Sequence, residues 1–249
     1  MWQVGDYGWL IGRPIAHRGL HDRAKGVIEN TRSAFAAAIS KGYAIECDLQ
    51  LAGDGEAMVF HDDTLDRLTE GAGPLVARTA EDLRSVAIRG TADRMQTLDD
   101  LLAQVDGRVT LVIELKSHWH GSARLAERAV EVLADYSGPF ALMSFDPDIV
   151  EAVRELAPSM TRGIVADRVA DESYHALPFA RRMELRSLSH LARTRPHFVS
   201  YHARGLPYPP LGPLRGHGVP IICWTIRSPK AASRALRYSD QITFEGFLP

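Results

Sequence analysis

Cysteine is nearly absent from this 249-residue chain, which carries only Cys47 and Cys223. Each lies inside an apolar run and reads as a small buried core residue, so a disulfide framework is excluded and a reducing compartment fits. Charge of one sign is also lacking: 29 Lys and Arg stand against 31 Asp and Glu, for a formal net charge of -2. With no basic excess and no block of like charge, no nucleic-acid partner is expected. No apolar run approaches the roughly 20 residues that span a bilayer, so stable membrane insertion is not expected. The chain does not open on a charged start leading into an apolar stretch. Met1 to Ile11 carries Trp2, Asp6 and Trp9 and does not read as a signal peptide. Together these absences point to the cytoplasm. No linker rich in Pro, Gly or Ser divides the chain and no internal repeat is evident, so residues 1–249 read as one domain.

What is present is an alternation of short strand-like runs and longer helical ones. Strand-like runs fall at Pro14–Ala16, Tyr43–Leu49, Ala57–Phe60, Val109–Leu115, Phe140–Met143, Ile164–Val165, His197–Ser200, Val219–Trp224 and Gln241–Phe244. Helical spacing marks Asn30–Lys41, Leu125–Ala134 and Tyr174–Ala192, while Asp146-Pro147 and Ser228-Pro229 are helix starts. About eight strands with helices between them predict an α/β protein built from βαβ units, and the length suits a TIM-type (β/α)8 barrel. An open doubly wound sheet gives a similar pattern. The interval of about 62–98 fits less neatly. It holds two helix starts with capping-box spacing, Thr79 with Asp82 and Thr97 with Asp100, and reads as a short insertion over one end of the barrel.

The informative feature is the polar group at the end of each apolar run. Ile15-Ala16 leads into His17-Arg18-Gly19, Ala44-Ile45 into Glu46-Cys47-Asp48, Val59-Phe60 into His61-Asp62, and Val112-Ile113 into Glu114-Leu115-Lys116. In parallel α/β folds the C-terminal strand ends form one rim, where ligands bind. Side chains two apart on a strand share a face, so Glu46 and Asp48 point together, as do Glu114 and Lys116. Three carboxylates converging there would repel one another unless a cation sat among them, and oxygen donors suit one divalent ion, Mg2+ or Ca2+. His17 and His61 are placed to exchange protons, and Arg18 and Lys116 to hold an anion such as phosphate. A lone carboxylate at a strand end is more often a solvated turn residue; four strands ending in groups of the needed type are harder to read that way. His118 and His120 form a weak metal-clip candidate. His21, His175, His190, His197, His202 and His217 read as surface or loop residues, and Leu206–Pro213 as a rigid loop.

Ala16-His17-Arg18-Gly19, Glu29-Asn30-Thr31, Glu46-Cys47-Asp48, His61-Asp62-Asp63-Thr64-Leu65-Asp66-Arg67, Glu114-Leu115-Lys116 and Trp224-Thr225 occur in one order along nearly the whole chain. That ordered set resembles the glycerophosphodiester phosphodiesterase family. The resemblance implies a TIM barrel and hydrolysis of a small glycerophosphodiester to sn-glycerol 3-phosphate and an alcohol. It implies that Glu46, Asp48 and Glu114 bind the metal and that His17 and His61 act as general acid and base. It further implies that Arg18 and Lys116 contact the phosphate and that Trp224 lies near the glycerol or forms a pocket wall. Asn30 matches the family, or simply caps its helix. The chain departs at its end, where the family's Thr-Asp is replaced by Thr243-Phe244-Glu245, and at Met95-Gln96, where the family has Ile-Pro. Two alternatives stand beside this reading: a lysophospholipase D-type activity on substrates that keep an acyl chain, and a non-catalytic barrel.

Overall fold

The computed structural model describes residues 5–249; the part of the N-terminal reading that rests on Met1 to Val4 lies outside them. Nine strands form the sheet: β1 (Ile15–Ala16), β2 (Ala44–Leu51), β3 (Ala57–Val59), β4 (Leu111–Leu115), β5 (Phe140–Ser144), β6 (Arg162–Ala166), β7 (Phe198–His202), β8 (Ile221–Ile226) and β9 (Gln241–Phe244). Eight of them are parallel and close into a ring, because β1 pairs with both β9 and β2. This is the TIM-type barrel and not the open sheet. The ninth, β3, lies outside the ring and runs antiparallel to β2.

Strand alternation divides the apolar residues into two layers. Ile113, Leu115, Leu142, Ile164, Val199 and Ile221 join the helices in the outer core. Their neighbours Val112, Ala141, Met143, Val165, Phe198 and Ile222 fill the barrel interior with Ile15 and Ala44, and Leu10 packs with them. Gly163 is required here, since a Cβ would lie 2.3 Å from the Phe198 ring. One step further along β2 and β4, the inward positions are Glu46, Asp48 and Glu114. The barrel is thus apolar inside and acidic at its rim.

Several predicted starts hold. Thr97 and Asp100 make a reciprocal capping box, Asp146 caps the helix Pro147–Leu156, and Ser228 caps Pro229–Ala235. Other expectations need correction. Ala57–Phe60 is not a member of the parallel series. β2 is eight residues long against five in β4, so it overshoots the rim and folds back as a hairpin. Tyr174–Ala192 is not one helix but a 3-10 turn at Glu172–Ala176 and helices at Phe179–Ser187 and Leu191–Thr194. Pro178 precedes the first α-helix and Leu188 closes it in the left-handed region. Asn30 is not a cap; Thr31 holds that position, ahead of the helix Arg32–Ser40. Residues of the predicted insertion, Leu65, Leu68, Leu75, Leu83, Ile88 and Met95, pack with Ile28, Met58 and Phe60 in a small core of their own. No helix among the described residues is long and apolar enough to cross a membrane.

Candidate active site

The register of β2 and β4 sets Asp48 directly beside Glu114. Glu46, two residues earlier on the same face, completes a trio whose oxygens lie within 4.8 Å of one another. All three are buried, at 2, 1 and 7% exposure. Lys116 donates to Asp48 Oδ1 at 2.8 Å and Glu114 Oε1 at 2.6 Å. Burial alone would lower the lysine's pKa, but the two carboxylates outweigh it and hold it charged. Burial also works against an ionised Asp48, whose pKa nevertheless ends below the usual carboxylate range because Lys116, His61 and Arg18 surround it. Glu46 goes the other way: burial, then Asp48 and Glu114, raise its proton affinity. Burial is the largest cause, and the two neighbouring carboxylates add to it.

His17 comes directly after β1 and donates its N–H to Phe244 O at 2.9 Å, which ties it to the neighbouring strand. The His17-Arg18-Gly19 turn is tight. Arg18 has φ 55° and Gly19 φ 79°, and a Cβ on Gly19 would meet the Ala34 backbone at 2.9 Å, so glycine is required. The bend directs the Arg18 N–H at Glu46 Oε2, 2.8 Å away. Asn30 is also left-handed, at φ 55°, a conformation asparagine tolerates. Its N–H donates to Arg18 O at 2.9 Å and its Nδ2 to Asp48 Oδ2 at 2.8 Å.

Both imidazoles are held from behind by a carboxylate, which is itself clamped by an arginine. His17 Nδ1 lies 2.5 Å from Glu245 Oε2, and Arg227 Nε donates to Glu245 Oε1 at 2.6 Å. His17 Nε2 then faces Glu46 at 3.9 Å. On the other side His61 Nδ1 lies 2.7 Å from Asp62 Oδ1, and Arg67 Nε donates to Asp62 Oδ2 at 2.5 Å. Arg67 also reaches Glu29 at 2.8 and 3.0 Å, and Arg18 Nη1 donates to Glu29 at 2.6 Å. Burial would push Glu29 up, but the two guanidinium groups hold it at about 2. Burial holds His17 below 6.5, opposed by the Glu245 hydrogen bond. Because β3 is antiparallel, His61 returns beside β2 just past the second strand of a hairpin, not from the end of a parallel strand. Gln50 secures the segment after β3, donating to His61 O at 3.1 Å and Asp63 Oδ1 at 3.0 Å.

The predicted site residues are therefore gathered at one rim, with adjustments. Lys116 stands between two carboxylates. Arg18 is engaged with Glu29, and its buried Nε makes no hydrogen bond among the described residues but lies 3.4 Å from Asp48 Oδ2, so the guanidinium spans two carboxylates at the rim. Trp224 forms a wall, with its Nε1 donating to Ser200 O at 3.0 Å. Glu245, His21, Gln50 and Arg227 are additions. His21 is no bystander: its Nε2 lies 3.8 Å from Glu245. The acidic residue after β9 was the available signal for Glu245; nothing in the spacing marked His21. His202 packs against Trp224 at 4.8 Å with the rings tilted by 49°. His190 and His197 are buried, not superficial, at 2 and 7% exposure. His118 and His120 pack ring to ring at 5.3 Å.

A closed barrel that sets paired proton carriers and cationic groups around a buried acidic trio is equipped to hydrolyse a phosphate diester. Residues 17–241 match the glycerophosphoryl diester phosphodiesterase family. The chain is 31% identical over 184 residues to a glycerophosphodiester phosphodiesterase of Caldanaerobacter subterraneus, covering 70% of this chain and 73% of that one. It is 29% identical over 231 residues to YhdW of Bacillus subtilis, covering 88% of each. In fold it is similar to an Oleispira antarctica phosphodiesterase solved with the product sn-glycerol-3-phosphate, at TM-score 0.77 and 22% identity, covering 93 and 91% of the two chains. A glycerophosphodiester phosphodiesterase from Thermotoga maritima superposes with TM-score 0.71 at 23% identity, covering 92% of each. The chain belongs to the glycerophosphoryl diester phosphodiesterase family and is a phosphoric diester hydrolase.

Proposed function

We propose that this chain hydrolyses a water-soluble glycerophosphodiester to sn-glycerol 3-phosphate and an alcohol, and that it needs one divalent cation to do so. The observation that carries this reading is the excess negative charge in the Glu46, Asp48 and Glu114 trio, within 4.8 Å and facing His17. Lys116 and Arg18 bring two positive charges against these three carboxylates, and Arg18 is shared with Glu29. All-oxygen donors in this arrangement fit Mg2+ or Ca2+, which when bound would lower the cost of charge build-up on the phosphoryl oxygens.

The chain's own residues supply the rest. Arg18 Nε and Lys116 Nζ present positive charge to the phosphate. One imidazole takes the proton of the attacking oxygen as its bond to phosphorus forms. The other gives a proton to the alcohol oxygen as the second P–O bond breaks. Glu245 and Asp62 fix the Nδ1–H tautomer, leaving each Nε2 to act, and stabilise each ring when it is charged. The cavity beside the rim carries Asp167, Asp171, Arg204 and His202 among its aromatic residues, which favours a deacylated substrate over one that keeps an acyl chain. The test is release of sn-glycerol 3-phosphate from a panel of glycerophosphodiesters in Mg2+, in Ca2+ and in excess chelator. Full turnover in chelator would remove the metal from the reading, and no turnover of any diester would remove the substrate.

A further inference from the structure

On the far side of the rim a cavity of about 600 Å3 is lined by Phe145, Asp167, Tyr174, His202, Arg204 and Trp224, among others. It adjoins a smaller one of about 200 Å3 whose wall includes Glu114 and Lys116, and Phe145 and Tyr174 belong to both. The larger space, whose volume suits a small-molecule site, therefore lies next to the one that Glu114 and Lys116 line.

Its chemistry is specific. Phe145 and Trp224 meet edge to face at 5.4 Å, and the indole is locked by its bond to Ser200 O at 3.0 Å. Two carboxylates line the cavity; Asp171 is exposed, and the half-buried one is Asp167. Its Oδ2 accepts from the Tyr174 hydroxyl at 3.1 Å, and its Oδ1 accepts the Val169 N–H at 2.5 Å. The adjacent Arg168 does not neutralise it. That guanidinium donates instead to Gly205 O at 2.7 and 3.1 Å and to Pro207 O at 3.0 Å, and lies over the Tyr208 ring at 5.0 Å. Burial keeps His202 below 6.5, so it adds no positive charge near neutrality. Arg204, the remaining cation of the lining, is exposed at the edge.

We propose that this cavity receives the alcohol half of the diester and that Asp167, set among Phe145, Tyr174 and Trp224, selects an alcohol bearing an ammonium group. The proposal rests on the hydrolytic reading above and deepens it by naming the substrate class. Aromatic faces and a carboxylate attract a desolvated cation together, and quaternary ammonium groups are held in this way. The same carboxylate disfavours an alcohol that carries a second negative charge.

The experiment compares kcat/KM for glycerophosphocholine and glycerophosphoglycerol in the wild type and in Asp167→Asn, which keeps an acceptor for the Val169 N–H. The wild type is expected to prefer the choline ester by roughly tenfold or more, and the variant to lose about that factor in the ratio. Calorimetric titration with choline reads the same cavity without turnover: binding is expected in the wild type and at least tenfold weaker in the variant, whose fold circular dichroism verifies. A ratio unmoved by the substitution, together with choline binding that is absent or equal in both proteins, overturns the proposal. Failure to hydrolyse either diester while choline still binds in an Asp167-dependent way supports the cavity's selectivity and overturns the hydrolytic reading instead.

Discussion

The rim of this barrel divides into two contiguous halves. Strands β4, β2, β1 and β9 adjoin one another in the ring, and so do β8, β7, β6 and β5. The first half, with the segment after β3 beside it, carries Glu114, Lys116, Glu46, Asp48, His17, His61 and Glu245. The second carries Trp224, His202, Asp167 and Phe145. In the charged half nearly every group is held by a neighbour of opposite sign at 2.5–3.0 Å. In the other half, ring packing around the half-buried Asp167 defines a shape. The difference teaches that one fold can separate the reacting centre from the recognition of what leaves it, since the strands contribute to the rim independently.

The sharpest way to break this division is to empty the charged half. Excess chelator is expected to reduce turnover to background, with recovery on adding Mg2+ or Ca2+. Glu46→Gln should weaken metal affinity in calorimetry and leave the circular dichroism unchanged. Next in size, His17→Ala and His61→Ala are each expected to cut kcat by roughly 10²-fold or more, the scale of a lost proton-transfer group; wild-type rates from either would place that ring outside the mechanism. The charged half has its own gradation. The side chain of His17 is 15% exposed and that of His61 31%, while the carboxylates behind them are alike at 18 and 19%, so the His17 pair is the drier through its imidazole. Glu245→Gln should therefore lower kcat by roughly tenfold and Asp62→Asn by less, because screening weakens the more exposed pair. The reverse order in steady-state kinetics would contradict the burial argument. In the aromatic half, Trp224→Ala is expected to raise KM severalfold with a smaller change in kcat, the pattern of lost uniform binding.

The smallest effect on turnover belongs to a residue outside both halves. His190 is 2% exposed, and neither ring nitrogen has a hydrogen-bond partner among the described residues. Burial, with Arg193 and Arg181 nearby, lowers its pKa to about 4. The unfolded chain, with its histidine near 6.5, takes up the proton first as pH falls. Stability is therefore present above pH 6.5 and lost progressively toward pH 4, by on the order of 3 kcal/mol. His190→Leu should flatten that part of the denaturation profile, measured by urea titration across the window.

Much of this was legible in the chain. The alternation of Val112, Glu114 and Lys116 against Leu111, Ile113 and Leu115 reveals which side chains face inward, because a strand has a period of two. The polar residue after each apolar run marks the rim. The histidines outside the motifs were not legible: a His at a loop is consistent with solvent, with a core like that around His190, or with a cavity like that beside His202, and only packing chooses. Glu245 was visible as a departure from the family's ending, but not as the partner of a residue 228 positions away.

The sequence by itself determined the alternation of strands and helices, the inward set on each strand and the presence of acids, imidazoles and cations at the strand ends, since these derive from local spacing and side-chain chemistry. Tertiary structure alone decided that β1 would close on β9 as well as on β2, bringing Glu245 against His17, and that β3 would turn back and deliver His61 from a hairpin. For β1 the reason is that ring closure is set by pairing between distant strands, and no window of sequence contains both partners; for β3, a short apolar run reads alike as a hairpin strand or as a member of the parallel series.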